Sequence, residues 1–164
     1  MSEIADRVAV IREQMAKAAA QAGRAENEVK LLAATKMNDA QRVRQAIAAG
    51  VDICGENRVQ ELQEKNAQGA YEGCPLHFIG HLQKNKAKFL VGTVELIHSV
   101  DSVELMQTID RLARQKALVQ DILVEVNIGG EEAKSGIVPE AADEMAAYLP
   151  HQEHPASILS GSSC

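Results

Sequence analysis

The sequence predicts an α/β fold made of repeated strand–helix units around a parallel sheet, and three observations predict it. Five short, nearly continuous apolar runs, VKLLAATK (29–36), VDICGEN (51–57), LHFIGH (76–81), ELIHSVD (95–101) and DILVEVN (121–127), have the length and character of strands buried on both faces. Between them lie segments with helical periodicity and cap residues at their ends. The strand ends recur at intervals of roughly 23 residues, which is one βα unit with its right-handed crossover. Periodicity alone leaves a (β/α)8 barrel and an open doubly wound sheet both standing. Unit length leans toward the barrel: eight such units and a leading helix need more than about 200 residues. The 164-residue chain holds about five.

Taken in order, Ile4, Val8, Ile11 and Met15 fall at helical spacing and predict an amphipathic opening helix that ends near Gly23. Asn38 or Asp39 can cap the helix after the first strand, which runs to Gly50, a residue suited to a left-handed terminus. Asp101 followed by Glu104 resembles a capping box before VELMQTIDRLARQ, with Ser102 a competing cap. Pro139 is placed to be the first residue of a last helix, PEAADEMAAYL. From His151 onward, HQEHPASILSGSSC lacks a strand–helix pair. The expected organisation is therefore a partial α/β barrel over 1–150 and an unrelated, disordered polar tail over 151–164.

Bulk properties narrow the function classes. A net charge of -6 lacks the basic field that a nucleic-acid footprint needs, and 2% aromatic residues with no Trp leave no base-stacking platform. No apolar run reaches membrane-spanning length, and the charged N-terminus does not read as a signal peptide. Three cysteines, Cys54, Cys74 and Cys164, form neither a CxxC pair nor an even disulfide set, which suits a reducing compartment. A cytoplasmic location is expected.

In parallel α/β folds ligands meet the carboxyl ends of the strands. Here those ends are Lys36, Asn57, His81, Asp101 and Asn127. Each alone fits a residue that simply meets solvent; as a set they suggest a site. Lys36 follows Leu31, Leu32, Ala33 and Ala34, so an inward-facing Lys36 would stand above an apolar floor. Such a floor disfavours the ammonium form, and a neutral amine can attack an aldehyde to give a Schiff base. The competing reading is a solvated lysine at a strand-to-loop junction. His77 and His81 sit in a strand context, which would hold their rings about 13 Å apart, too far to share a metal ion. His81 is then a candidate pocket residue, and His77 is expected to be buried at the other end.

Other motifs read as structure. The loop IGGEEAKSG (128–136) lacks glycine before Lys134 and carries Glu131 and Glu132, so it is a strand-to-helix connection and not a phosphate cradle. Lys84, Lys86 and Lys88 read as a solvated helix face. Cys54 is expected in the core, Cys74 in a loop, and none of the cysteines as a nucleophile.

Five segments carry a resemblance: LLAATK, GENRVQEL (55–62), LHFIGHLQKNK (76–86), IHSVDS (97–102) and VEVNIGGEEAKSGI (124–137). In this order they resemble the pyridoxal-phosphate homeostasis protein family over roughly residues 3 to 150. The resemblance implies the (β/α)8 TIM-type barrel of the alanine racemase N-terminal domain, incomplete here. It also implies pyridoxal 5'-phosphate as cofactor, a Schiff base on Lys36, and Asn57 and His81 in the cofactor pocket. Such proteins are expected to bind, buffer and hand over the cofactor to pyridoxal-phosphate-dependent apoenzymes without catalysing a reaction, here as a monomer. Neither metal, nucleic acid nor membrane is implied.

Two departures qualify the resemblance. The first strand ends in ATKMND where many relatives read SKTKP, which keeps the lysine and changes its neighbours. Past Leu149 and Pro150 the family continues with further strands and a glycine-rich phosphate-binding segment, and the text from His151 does not match it. Phosphate contacts usually anchor such a cofactor, so weakened affinity or a non-functional truncated fragment is an alternative. A racemase-like or Schiff-base enzyme is another, and it would need a further acid/base that the sequence does not supply.

Overall fold

A computed structural model describes residues 3–129, 135–147 and 161–162. The chain divides into two compact units, 1–76 and 77–164.

The first unit opens with α1 (Glu3–Gln21), which closes where Gly23 takes φ +67°. Then follow β1 (Leu32–Ala34), α2 (Ala40–Ala48), β2 (Ile53–Glu56) and α3 (Val59–Ala67). The two strands are parallel, in the register Leu32↔Ile53, Ala33↔Cys54, Ala34↔Gly55. Asp39 is the α2 cap, its carboxylate accepting from the Arg42 N–H at 2.8 Å, and Gly50 ends that turn at φ +100°. Val8, Val43, Cys54 and Leu62 are buried, one from each element that packs on β1 and β2 and from β2 itself.

A polar contact seats α1. Arg12 donates to the Gly50 carbonyl and pairs with Asp52 at 2.8 Å, while Asp52 accepts from the Leu31 N–H at 2.6 Å, just before β1 begins. The Arg12 guanidinium, aided by the Leu31 N–H, holds the Asp52 carboxyl below the usual carboxylate range. One aspartate thus ties the start of β1, the start of β2 and the opening helix together.

The second unit takes β3 (Leu76–Phe78) from His77 onward, then a 3-10 turn (Lys84–Phe89), β4 (Leu96–Val100), α4 (Val103–Gln115), β5 (Asp121–Val126), α5 (Ala141–Ala147) and β6 (Gly161–Ser162). All pairings are parallel: β3 on β4 (His77↔Leu96), β4 on β5 (Ile97↔Ile122, with an irregularity before Val100) and β5 on β6 (Glu125↔Gly161). Helix α4 buries Leu105, Met106, Ile109 and Ala113, a single stripe at helical spacing. Gln120, at 8% exposure, donates to the carbonyls of Val94 and Glu95 and accepts from the Gly92 N–H, so one amide stitches the loop before β4 to the start of β5.

Each of the five apolar runs contains a strand, and the parallel βα alternation of the expected fold class is present. Ser102, and not Asp101, caps α4: its hydroxyl accepts from the Leu105 N–H at 3.3 Å. Pro139 precedes α5 by two residues, because Val138 and Pro139 first form a turn whose carbonyls accept from Ala141 and Ala142. Lys84, Lys86 and Lys88 lie on the 3-10 turn, with Lys84 and Lys88 exposed as expected of a solvated face. Within the predicted tail, only Gly161 and Ser162 are described; the rest of 151–164, Cys164 included, and Gly130 to Lys134 of the 128–136 loop lie outside the described residues.

Candidate functional site

The carboxyl end of β1 is the centre of the candidate site. Ala34 is the last strand residue, Thr35 is buried, and the chain turns over Lys36 and Met37 before the α2 cap. The Asn38 N–H bonds the Thr35 carbonyl at 3.2 Å across this turn. Met37 takes φ +60°, a left-handed conformation in the place that a type II turn reserves for it, although a side chain disfavours it. Lys36 is exposed, so the enclosing apolar floor expected beneath its amine is not found around it.

Behind the turn is a buried polar network. Glu56, with 0% exposure, ends β2, and its Oε1 accepts from Lys65 Nζ at 2.6 Å, Thr35 Oγ1 at 2.6 Å and Tyr71 OH at 3.0 Å. Lys65 lies in α3 at 6% exposure, and its ammonium also donates to the Thr35 carbonyl at 2.8 Å and to Glu61 at 3.3 Å. Its three protons thus have three acceptors, as a buried ammonium requires. Burial and the Glu56 carboxylate push the Tyr71 hydroxyl well above its ordinary range, which keeps it a donor. Glu61 accepts from the Met37 N–H at 2.8 Å; that bond, then Lys65 and Arg58, hold its carboxyl below the usual range.

Asn57 follows Glu56 directly. Asn57 lies one residue past the end of β2, and Lys36 lies in the turn two residues past the end of β1, the strand that pairs with it. The Asn57 Oδ1 is buried and has no hydrogen-bond partner among the described residues. An orphaned buried acceptor costs about 1–3 kcal/mol, and a ligand donor would relieve it.

The other predicted strand-end residues, His81, Asp101 and Asn127, belong to the second unit. His81 has a side chain 59% exposed, with Nδ1 3.4 Å from Asp101 Oδ2 and 3.4 Å from Ser135 Oγ. Asp101 lies just beyond β4, and Asn127 just beyond β5, where its N–H donates to the Ile137 carbonyl. His77 is buried as expected, and it has a partner that sequence reasoning missed: its Nδ1 lies 3.0 Å from His98 Nε2. Burial lowers the pKa of both imidazoles, so the pair rests neutral with one N–H shared between them. Among the described residues no third ligand joins them to make a metal site.

Sequence reasoning also missed the Glu56–Lys65–Glu61 network. The available signal was a glutamate inside an apolar run and two oppositely charged residues on one face of the next helix, a pattern that surface helices share. Cys54 is buried in β2 as expected, 3.7 Å from Cys74 Sγ.

Residues 7–161 match the family described as alanine racemase, N-terminal domain. A curated relative from Aquifex aeolicus, named pyridoxal phosphate homeostasis protein, is 43% identical over 143 residues, covering 87% of this chain and 63% of its own length. A protein of the same name from Pseudomonas aeruginosa is 36% identical over 154 residues, covering 92% of this chain and 67% of its own. The solved structure of PipY from Synechococcus elongatus with PLP bound superposes with a TM-score of 0.74 at 32% identity, covering 88% of this chain and 63% of that one. The chain thus spans about two thirds of the length of the relatives it matches. Among the described residues no helix is long and apolar enough to cross a membrane.

Proposed function

This chain belongs to the alanine racemase N-terminal domain family, among the pyridoxal phosphate homeostasis proteins, and from that premise we propose that it binds pyridoxal 5'-phosphate through Lys36 to store and release it, without turning over a substrate. The observation that carries the reading lies just past the ends of two paired strands: an exposed Lys36 in the turn after β1, and the buried Oδ1 of Asn57, without a partner among the described residues, directly after β2. Lys36 would hold the cofactor through its aldehyde, which would supply a carbon for the Nζ amine to condense with, releasing water and the ammonium's proton to solvent.

Around that bond the chain's own groups have distinct tasks. Asn57 Oδ1 can accept from a hydroxyl or protonated nitrogen of the ring. His81, beside Asp101 and Ser135 in the second unit, is the further pocket residue proposed from the sequence. The exposure of Lys36 favours exchange over retention, since an amine open to water lets the Schiff base hydrolyse and the cofactor pass to an apoenzyme. A racemase-like or aldol reaction would need a second acid/base aimed at the substrate carbon, and in the first unit Glu56, Glu61 and Lys65 are already committed to one another. A cytoplasmic, monomeric protein that hands its cofactor to apoenzymes is the setting this reading proposes.

Titration with pyridoxal phosphate tests it. The native chain gives a Schiff-base absorbance band that Lys36→Ala abolishes and Asn57→Ala weakens by about tenfold in affinity. Loss of the α-proton from, or racemisation of, added amino acids by the native chain would overturn the non-catalytic part.

A further inference from the structure

The contacts at the β1 turn divide into two kinds. Those of Glu56 with Lys65, Tyr71 and Thr35 are buried and hold α3 and the β2 end together. The contact of Glu61 with the Met37 N–H is different: Met37 is 84% exposed, so this bond covers no apolar surface. It holds a residue in a left-handed conformation that a side chain disfavours, next to the proposed cofactor lysine.

The bonded atoms belong to particular peptide groups. Thr35 C=O, held by Lys65 Nζ, is part of the peptide plane that precedes the Lys36 Cα. Met37 N–H, held by Glu61, is part of the plane that follows it, and the carbonyl of that same plane accepts from Asn38 Nδ2 at 3.0 Å. A peptide group is rigid, so fixing the two planes fixes φ and ψ of the residue between them and hence the direction of its Cα–Cβ bond. We propose that Glu61 and Lys65 are positioning residues for Lys36: they clamp the peptide planes on either side of it and so aim an amine that nothing else encloses. This rests on Lys36 being the cofactor lysine. It explains why an exposed lysine could compete with the other surface amines, since pre-set direction lowers the ordering cost of the bond.

The clamp needs an acceptor at the Glu61 position more than it needs a charge. Lys65→Met would strand the Glu56 carboxylate in the interior and threaten the fold, so Glu61 carries the test. In the full chain, Glu61→Ala is expected to open the Met37 amide to hydrogen exchange without cofactor present, and to weaken pyridoxal phosphate binding by about tenfold. The circular dichroism spectrum is expected to stay native, with a modestly lowered melting point because the buried Lys65 ammonium loses one of its three acceptors. Glu61→Gln, whose side-chain oxygen can still accept the N–H, restores both amide protection and most of the affinity.

Three results overturn the proposal. One is unchanged affinity in Glu61→Ala despite an exposed Met37 amide. Another is failure of Glu61→Gln to restore affinity, which would mean that charge and not the clamp matters. The last is a native Met37 amide that exchanges freely. Failure of the underlying reading shows elsewhere: borohydride would trap no adduct on Lys36 even in the native chain, whatever the state of that amide.

Discussion

At the scale of single residues, the chemistry depends on which groups are free and which are spent. Lys36 was legible from sequence because it ends an apolar run, and its place at the β1 turn follows from that run. Its exposure matches the competing reading of a solvated lysine at a strand-to-loop junction; the apolar run could not decide between the two, since it says that a strand is buried without saying what lies over the residues beyond its end. The charges of Glu56 and Lys65 are spent on each other, which only the fold reveals, since the two are nine positions apart on different elements. Cys54 and Cys74 divide in the same way. Burial, then the neighbouring Cys74, pushes the Cys54 thiol up to about 12, whereas Cys74 is half-buried at the loop edge. Because the thiolate is the reactive form, only about a thousandth of Cys54 is ionised at about pH 9. Iodoacetamide at that pH should therefore modify Cys74 at least about tenfold faster than Cys54, as read by peptide mass mapping; equal rates would contradict the burial of Cys54.

At the scale of elements, most strand positions and several caps were readable. Continuous apolar runs mark parallel strands, and Asp39 marks the start of α2. Ser102 displaces Asp101 as a cap because the backbone at Ser102 is already extended, φ -159° and ψ 151°, with its hydroxyl toward the Leu105 N–H. Close approaches were not readable. Gly136, at φ +114°, lies against β5, where an added Cβ would meet the backbone N of Asn127 at 2.8 Å and the carbonyl carbon of Val126 at 3.1 Å. Both neighbours are backbone, so neither can swing aside. Gly136→Ala should destabilise the chain by about 2 kcal/mol or more in urea unfolding, while Gly23→Ala, with open space around its Cβ, should lose only about 1 kcal/mol, from its φ of +67°.

The His77–His98 pair links β3 and β4 and makes this part of the fold sensitive to pH. Both pKa values are lowered by burial, so near the unfolded value of about 6.5 the unfolded chain binds more protons than the folded one. The stability that the neutral pair contributes is fully present above that pH and declines as pH falls below it. Unfolding free energy measured from about pH 7.5 to about 5.5 should fall with acid. His98→Gln should flatten that slope, and an unaltered slope in the variant would remove the pair as its origin.

At the scale of the whole molecule, the family assignment and the fold agree: β1 to β5 fall within the five predicted runs, and residues 7–161 match the alanine racemase N-terminal domain. Just past the ends of β1 and β2 lie the exposed amine of Lys36 and the orphaned acceptor of Asn57 on which the proposed function rests. The most direct measurement is borohydride reduction of the chain with pyridoxal phosphate, followed by peptide mass mapping of the stable adduct. The account predicts that the pyridoxyl group sits on Lys36 ahead of every other lysine and that Lys36→Ala leaves no dominant adduct. A pyridoxyl group spread evenly over the surface lysines, Lys36 among them, would contradict it.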